Sequence, residues 1–247
     1  MLPADLIAAL DAVAATPRLL VTSDFDGTLA PIVNNPADAR ALPAAAAALV
    51  TLSALEATDV ALVSGRALAV LRELASMPAV VHLIGSHGAE LDTGFSQQVD
   101  TALLDRITLA LNEIALRYPG VAVETKPASV ALHVRNAAAT DGEAALAAAL
   151  DAAADWDAET TAGKAVLEFA VITTSKGSAI DALRRRLDST AVVFLGDDVT
   201  DEKAFARLGS GDVGVKVGAG DTAARYRVDS PDDVADVLAY LARVRAV

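Results

Sequence analysis

The chain has 247 residues, of which 53% are hydrophobic, and its formal net charge is −13 at pH 7. This length and apolar content allow a large core and a second, smaller domain. The absence of cysteine excludes disulfides, thiolate catalysis and cysteine-ligated zinc, and the negative charge, with no block of Lys and Arg, argues against nonspecific nucleic-acid binding.

The first third of the chain alternates predicted helices with predicted strands. Leu6, Ile7, Leu10 and Val13 recur at helical spacing, which predicts a helix over residues 3–15. The elements predicted after it are a strand at 19–24, a helix at 43–57, a strand at 60–64, a helix at 67–76 and a strand at 80–85. Such an alternation is typical of a parallel sheet.

The pattern changes in the middle of the chain. A helix is predicted near residues 100–117, and Pro127-Ala128-Ser129 separates two short alternating segments, which indicates a hairpin. The predicted elements of this region continue with a helix at 141–154 and strands at 156–160 and 165–172, the hairpin strands being 121–125 and 130–135. We interpret residues 95–173 as an inserted α+β domain with hinges near Gly94 and Thr173-Thr174.

The alternation of helix and strand returns after residue 175. The predicted elements are a helix at 177–187, a strand at 191–196, a helix at 201–207, a strand near 213–216 and helices near 221–225 and 231–244. Residues 1–94 and 174–247 therefore form one interrupted domain. The predicted fold class is α/β, with a doubly wound parallel-sheet (Rossmann-like) core and a smaller inserted α+β domain.

The N-terminal segment and the apolar stretches indicate where in the cell the protein is expected. The N-terminus carries Asp5 and lacks the basic segment of a secretory signal. The apolar stretch 44–55 follows Pro43 and contains Thr51 and Ser53, which suits an amphipathic helix better than a membrane span. We therefore expect a cytoplasmic protein that does not bind membranes. We also expect it to be a monomer.

The most informative segment is Asp24-Phe25-Asp26-Gly27-Thr28, directly after the first predicted strand. Ligands of open α/β sheets bind beyond the carboxyl ends of the strands, so the two carboxylates stand where chemistry is usually done. One carboxylate could act as a nucleophile that forms an aspartyl-phosphate, and the other could act as general acid and then base. Asp is also common at helix N-caps and turns, but the order of residue types here favours a catalytic role.

A second acidic cluster, Asp197-Asp198 with Asp201-Glu202, follows another apolar run. Two close carboxylates repel each other unless a cation joins them, and Mg²⁺ prefers oxygen ligands. The sequence therefore predicts a Mg²⁺ site formed by both clusters. The alternative is that the second cluster only complements the N-terminus of the next helix.

Ser64-Gly65-Arg66 and Lys176-Gly177 add two weaker signals. Each follows an apolar run or stands at a junction between a loop and a helix, where a turn or a solvated helix start would explain it equally well in isolation. Taken in order with the two acidic clusters, they supply the hydroxyl and the cation that offset the charge on a phosphoryl group.

These four fragments, in this order, resemble the motifs of the haloacid dehalogenase superfamily of phosphohydrolases. The resemblance implies that Asp24 is the nucleophile and a Mg²⁺ ligand, and that Asp26 is the general acid/base and offers the metal its main-chain carbonyl. It also implies that Ser64 binds the transferring phosphoryl group and that Lys176 neutralises its charge.

The same resemblance assigns the remaining metal ligands to the second acidic cluster. Asp197 and Asp198 are the ligands expected there. Asp201 and Glu202 stay open as alternatives to Asp198 for direct contact with the metal.

Further fragments resemble the trehalose-6-phosphate phosphatases within that superfamily. They extend over both predicted domains: Gly85-Ser86-His87-Gly88-Ala89-Glu90, Glu124-Thr125-Lys126, His133-Val134-Arg135, Gly163–Glu168 and Gly196–Glu202. Many members of that family follow the Leu-Glu of the fourth fragment with a basic residue and Pro, where this chain has Phe169-Ala170. The resemblance implies that residues 95–173 are a cap domain that determines substrate specificity.

The resemblance implies that the substrate is trehalose 6-phosphate. A polyhydroxyl ligand of this kind requires charged and amide hydrogen-bond partners. Contacts with the sugar are assigned to Lys126 and Glu168 in the cap, and to Arg66, His87 and Glu90 in the core. Lys164 is a weaker candidate, and His133 and Arg135 are expected to shape the cap sheet.

The expected activity is Mg²⁺-dependent hydrolysis of trehalose 6-phosphate to trehalose and phosphate, the final step of trehalose biosynthesis. Two alternatives stay open from the residues alone. One is a related phosphatase that acts on another phosphorylated sugar, such as sucrose 6-phosphate or a mannosyl phosphate. The other is a noncatalytic sugar-phosphate sensor.

Overall fold

The structure is a computed structural model, and it describes residues 2–247. The α-helices, in chain order, are α1 (Ala4–Ala14), α2 (Pro43–Ser53), α3 (Leu68–Ala75), α4 (Thr101–Ala115), α5 (Ala139–Ala152), α6 (Lys176–Arg186), α7 (Val199–Phe205) and α8 (Pro231–Arg245). The strands are β1 (Leu19–Ser23), β2 (Thr58–Val63), β3 (His82–Ile84), β4 (Glu90–Leu91), β5 (Gly94–Phe95), β6 (Ala122–Lys126), β7 (Ser129–His133), β8 (Glu159–Gly163), β9 (Val166–Ala170), β10 (Ala191–Gly196), β11 (Val213–Val217) and β12 (Tyr226–Val228).

The chain divides into two compact units. One contains the chain up to Gly94 together with Thr174–Val247, and the other is Phe95–Thr173. None of the helices within residues 2–247 has the length and apolar character that crossing a membrane requires.

The first unit is built on a six-stranded parallel sheet in the order β12-β11-β10-β1-β2-β3. Every residue of β1 is buried, because it lies at the centre of the sheet with helices on both faces. Side chains alternate between the two faces: Leu19 and Val21 pack with α1, α2 and α8, whereas Leu20 packs with α6 and α7. The parallel α/β core predicted from the sequence is confirmed.

The second unit is a four-stranded antiparallel sheet in the order β6-β7-β9-β8. One face of this sheet is apolar and packs against α4 and α5, with Ile107, Leu111, Leu132 and Phe169 in the core. Most residues of the other face are small or polar, among them Ser129, and this face is not part of the core.

Two predicted elements differ from the structure, and the short strands β4, β5 and β12 were not predicted. Residues 221–225, predicted as a helix, form an irregular loop that leads into β12. Contacts distant in sequence hold this loop: Glu202 accepts hydrogen bonds from the main-chain N–H of Ala223 and from the hydroxyl of Thr222. Tertiary contacts of this kind override helix propensity. The strand predicted at 156–160 lies instead at β8, because the tight turn falls at Lys164-Ala165, where Ala165 has a φ of +61°.

Candidate active site

The two acidic clusters meet at the carboxyl ends of β1 and β10, which are neighbours in the sheet. The main-chain N–H of Asp24 donates to the carbonyl of Leu195 at 2.9 Å, and the Thr28 hydroxyl donates to Asp197 Oδ1 at 3.1 Å. Gly27 has a φ of +83°, and a Cβ atom there would overlap the Asp197 carboxylate. Because Gly27 has no side chain, Asp197 can approach the segment that carries Asp24.

Three carboxylates converge at this point. Asp24, Asp197 and Asp201 each offer an oxygen, and these atoms lie within 4.8 Å of one another. Asp24 and Asp201 are buried, and Asp197 is half-buried. Asp201 approaches the end of β10 closely, because Gly196 has no side chain to exclude it.

Lys176, at the start of α6, lies between two of these carboxylates. Its Nζ is 2.8 Å from Asp24 Oδ1 and 2.8 Å from Asp201 Oδ1, and its side chain is 3% exposed. Gly177 allows this placement, because a side chain there would collide with the carbonyl of Lys203 on α7. The close packing of α6 on α7 thus delivers the ammonium to the carboxylates.

The electrostatics of the cluster are those of three acids that share one buried ammonium. Burial raises the pKa of Asp24 well above its ordinary value, an effect that Lys176 opposes and the charge of Asp201 reinforces. Burial and the charge of Asp201 likewise raise the pKa of Asp197. Burial alone would lower the pKa of Lys176, but the charges of Asp24 and Asp201 outweigh it and hold that pKa above its ordinary value.

Asp201 differs from the other two carboxylates in its hydrogen bonds. Oδ1 accepts from Lys176, and Oδ2 accepts from the main-chain N–H groups of Asp197 and Asp198, each at 3.0 Å. Asp198, which the sequence analysis placed among the metal ligands, is exposed and caps α7 through a hydrogen bond from the N–H of Val199. The structure therefore brings Asp201, and not Asp198, together with Asp24 and Asp197.

This donor set fits a hard divalent cation. All three side chains offer carboxylate oxygens, the ligands that Mg²⁺ prefers. Burial raises the pKa of both Asp24 and Asp197, and Lys176 opposes this effect only in part. A cation held by Asp24 and Asp197, with Asp201 supporting them, would supply the missing positive charge.

Asp26 lies outside the cluster and has a partner of its own. Arg66 Nε and Nη2 donate to its two carboxylate oxygens, each at 2.6 Å. Ser64 is buried at the end of β2, where its hydroxyl accepts the main-chain N–H of Arg66 at 3.2 Å. The segments after β1 and β2 are thus joined.

The segment after β3 follows the same edge of the sheet. His87 has a φ of +53°, and its ring lies against Gly65, where a side chain would overlap it. Glu90 Oε1 accepts from the Ser86 hydroxyl at 2.5 Å and from the main-chain N–H of Leu68 at 3.3 Å. Glu90 therefore holds this segment to the start of α3, a supporting contact that the sequence did not indicate.

In the second unit, the predicted sugar contacts lie together on the face of the sheet that is not part of the core. Lys126 Nζ is 3.0 Å from Glu168 Oε1, and the Ser129 hydroxyl donates to the same oxygen at 2.6 Å. On the same face, His133 Nε2 lies 2.9 Å from Glu124 Oε2.

Arg135 and Lys164 are exposed, beyond the ends of β7 and β8 respectively. This places them at the margins of the sheet, apart from the group formed by Lys126, Ser129 and Glu168.

One residue near the carboxylates was missed by the sequence analysis. Lys216, in β11, is 4% exposed, and its Nζ donates to the carbonyl oxygens of Asp197 and Val217. The signal in the sequence is a single Lys within the apolar strand Val213–Val217, next to the strand that precedes Asp197.

The family model and two relatives that match this chain belong to one family. The family model described as trehalose-phosphatase matches residues 22–232. The trehalose-phosphate phosphatase of Mycobacterium marinum is 37% identical over 245 residues, which cover 92% of this chain and 62% of that protein. The one from Mycobacterium tuberculosis strain H37Rv is 36% identical over 239 residues, which cover 89% of this chain and 60% of that protein. The chain thus spans about three-fifths of the length of these relatives.

Solved structures agree in fold. The Aspergillus fumigatus trehalose-6-phosphate phosphatase (crystal form 3) has a TM-score of 0.72 and 26% identity, covering 96% of this chain and 97% of that one. The C-terminal domain of the Candida albicans trehalose-6-phosphate phosphatase has a TM-score of 0.80 and 23% identity, with 98% of each chain covered. With a family match over most of its residues, the chain belongs to the trehalose-phosphatase family.

Proposed function

We propose that the chain is a Mg²⁺-dependent phosphatase that hydrolyses trehalose 6-phosphate to trehalose and phosphate. The observation that carries the proposal is the convergence of Asp24, Asp197 and Asp201 around the Lys176 ammonium at the carboxyl ends of the strands. Family membership supports the substrate, since the relatives are trehalose-phosphate phosphatases.

In the proposed first step, an oxygen of Asp24 attacks phosphorus and the bond from phosphorus to the sugar oxygen breaks. Asp26 donates its proton to the leaving sugar oxygen, so that a neutral hydroxyl departs and Asp24 carries the phosphoryl group. In the second step, Asp26 takes a proton from water, the resulting hydroxide attacks phosphorus, and phosphate leaves Asp24.

The surrounding residues hold the phosphoryl group during both steps. The Lys176 ammonium would offset the negative charge of its oxygens, and the Ser64 hydroxyl would bind them, as in other phosphoryl-transfer sites. Mg²⁺ held by Asp24 and Asp197, with the Asp26 main-chain carbonyl as a further ligand, would neutralise negative charge as nucleophile and phosphate approach. Asp201 would keep the Asp197 loop and Lys176 in place through its hydrogen bonds.

The second unit is proposed to be the cap that determines substrate specificity. Lys126 and Glu168 are the residues proposed to bind sugar hydroxyls, supported by their position on the polar face of the sheet. Arg66, His87 and Glu90 are proposed to contribute from the first unit. We also propose that the enzyme is cytoplasmic, which its cysteine-free composition supports, and that it acts as a monomer.

The test is phosphate release by the purified protein from trehalose 6-phosphate, sucrose 6-phosphate and a mannosyl phosphate, with Mg²⁺ or with chelator. We expect hydrolysis of trehalose 6-phosphate that requires Mg²⁺ and is abolished by Asp24→Asn. A preference for another sugar would replace the proposed substrate, and binding of trehalose 6-phosphate without turnover would indicate a sensor. Hydrolysis by Asp24→Asn at nearly the wild-type rate would rule out the mechanism.

A further inference from the structure

Lys216 is a buried cation next to the carboxylate cluster that neither the motifs nor the proposed mechanism uses. It lies in β11 opposite Gly196 of β10, and it is 4% exposed. A buried ammonium is costly unless hydrogen bonds replace its hydration. Here its Nζ donates to the main-chain carbonyl of Asp197 and, at 3.1 Å, to that of Val217.

The contact of Lys216 with Asp197 is one of three hydrogen bonds that hold Asp197 in place. The N–H of Asp197 donates to Asp201 on α7 at 3.0 Å, its carboxylate accepts from Thr28 at 3.1 Å, and its carbonyl accepts from Lys216. These partners come from three separate parts of the fold. The Asp197 peptide is therefore fixed from both sides, which sets the direction in which its side chain leaves the backbone.

We propose that Lys216 is a positioning residue for the cation site, which it serves by holding the carbonyl of Asp197 so that the Asp197 carboxylate faces Asp24. This inference rests on the proposed function, because it assumes that the cluster binds a divalent cation. Partners that orient metal ligands without touching the metal contribute to metal affinity, and their loss typically weakens binding about 10-fold to 100-fold.

A purely structural role would have a different consequence. If Lys216 only tied β11 to β10, its removal would lower stability and leave cation affinity unchanged. Arg227 provides the matched control, since it donates to the carbonyls of Gly218 and Gly220, directly after β11, without contacting Asp197. Both side chains satisfy two carbonyls in the same region, so Arg227→Met separates general loosening from the effect on Asp197.

The experiment is titration of metal-free full-length protein with Mn²⁺, the free ion being followed by electron paramagnetic resonance. We expect the dissociation constant of Lys216→Met to be about 10-fold or more above that of the wild type, and that of Arg227→Met to be unchanged. Circular dichroism reports whether each variant is folded. If Lys216→Met does not fold, Lys216→Gln, which retains a donor but no charge, is expected to bind Mn²⁺ more weakly than the wild type.

A wild-type dissociation constant in the folded Lys216 variant would overturn this inference and leave the proposed function intact. Equal weakening in Arg227→Met would also overturn it, because the effect would then be general loosening. If the wild-type protein itself bound no Mn²⁺, the proposed cation site would fail together with the inference, so the two failures are distinguishable.

Discussion

Arg66 donates hydrogen bonds to both carboxylate oxygens of Asp26, with Nε and Nη2 each 2.6 Å from one oxygen. The guanidinium also lies 5.9 Å from the ring of Phe25. A bidentate pair of this kind fixes the orientation of a carboxylate more firmly than a single hydrogen bond. Arg66 is therefore placed to position the proposed acid/base, a role that adds to the substrate contact proposed for it.

Replacing Arg66 by Met is expected to slow sugar release from trehalose 6-phosphate by about 10-fold or more, since a misplaced acid protonates the leaving oxygen poorly. Release of p-nitrophenolate from p-nitrophenyl phosphate should fall less, because that leaving group departs without a proton. The measurement is the single-turnover rate of leaving-group release. Arg72→Met, which breaks the exposed pair with Asp92, is the control. Equal losses on both substrates would contradict the positioning role.

Lys176 is expected to stabilise the fold as well as the phosphoryl group. Lys176→Met leaves Asp24 and Asp201 buried without their cation, which should destabilise the metal-free protein by about 3–5 kcal/mol near neutral pH. The matched control is Arg207→Met, which breaks the exposed pair with Asp181 between the segment after α7 and α6. Its expected cost is at most about 1 kcal/mol.

The pH dependence of that stabilisation follows from the direction of the pKa shift. Since the pKa of Lys176 in the folded protein lies above its ordinary value of 10.5, the folded state holds this proton more tightly than the unfolded state. The stabilisation is therefore complete below the unfolded pKa and is lost as pH rises through the folded pKa. Urea unfolding of wild type and Lys176→Met across alkaline pH should show the gap in unfolding free energy closing. A gap that widened there would contradict the assignment.

The sequence allowed prediction of those parts of the site that depend on local position. Asp24 and Asp197 each follow an apolar strand, and the carboxyl ends of neighbouring parallel strands meet at one edge, so their proximity follows from the pattern. The choice between Asp198 and Asp201 does not follow from the pattern, because it depends on the turn that starts α7. One turn along that helix, Asp201 points back at the end of β10.

The role of Glu202 was unpredictable for a related reason. Its partners, Thr222 and Ala223, are distant in sequence, and only the folded chain shows that it organises the loop predicted as a helix. Long-range hydrogen bonds of this kind override local helix propensity.

Gly27 allows a test of the approach of the two acidic clusters. Gly27→Ala places a methyl group where the Asp197 carboxylate lies, so it should displace Asp197, weaken Mn²⁺ binding and lower turnover. Gly218→Ala is the control, because Gly218 has a similar φ of +75° with open space around its Cβ position. Both variants pay a backbone strain of about 1–3 kcal/mol. The prediction is wrong if the two lose metal affinity equally.

The polar face of the second unit offers a test of specificity that is independent of the phosphoryl chemistry. Lys126 is held by Glu168, which also accepts from Ser129, so the ammonium is oriented before any ligand binds. If Lys126 binds sugar hydroxyls, Lys126→Met should raise the KM for trehalose 6-phosphate about 10-fold, the equivalent of one charge-assisted hydrogen bond.

The aryl substrate again separates this role from a general defect. The KM for p-nitrophenyl phosphate, which has no sugar, should be unchanged by Lys126→Met, because the lost contact is to the sugar alone. Arg117→Met removes a comparable cation just after the end of α4 in the same unit, where its Nε donates to the carbonyl of Glu113 at 3.3 Å. That variant should leave both KM values unchanged. An equal rise in KM for the two substrates in Lys126→Met would instead place Lys126 among residues that support the phosphate site.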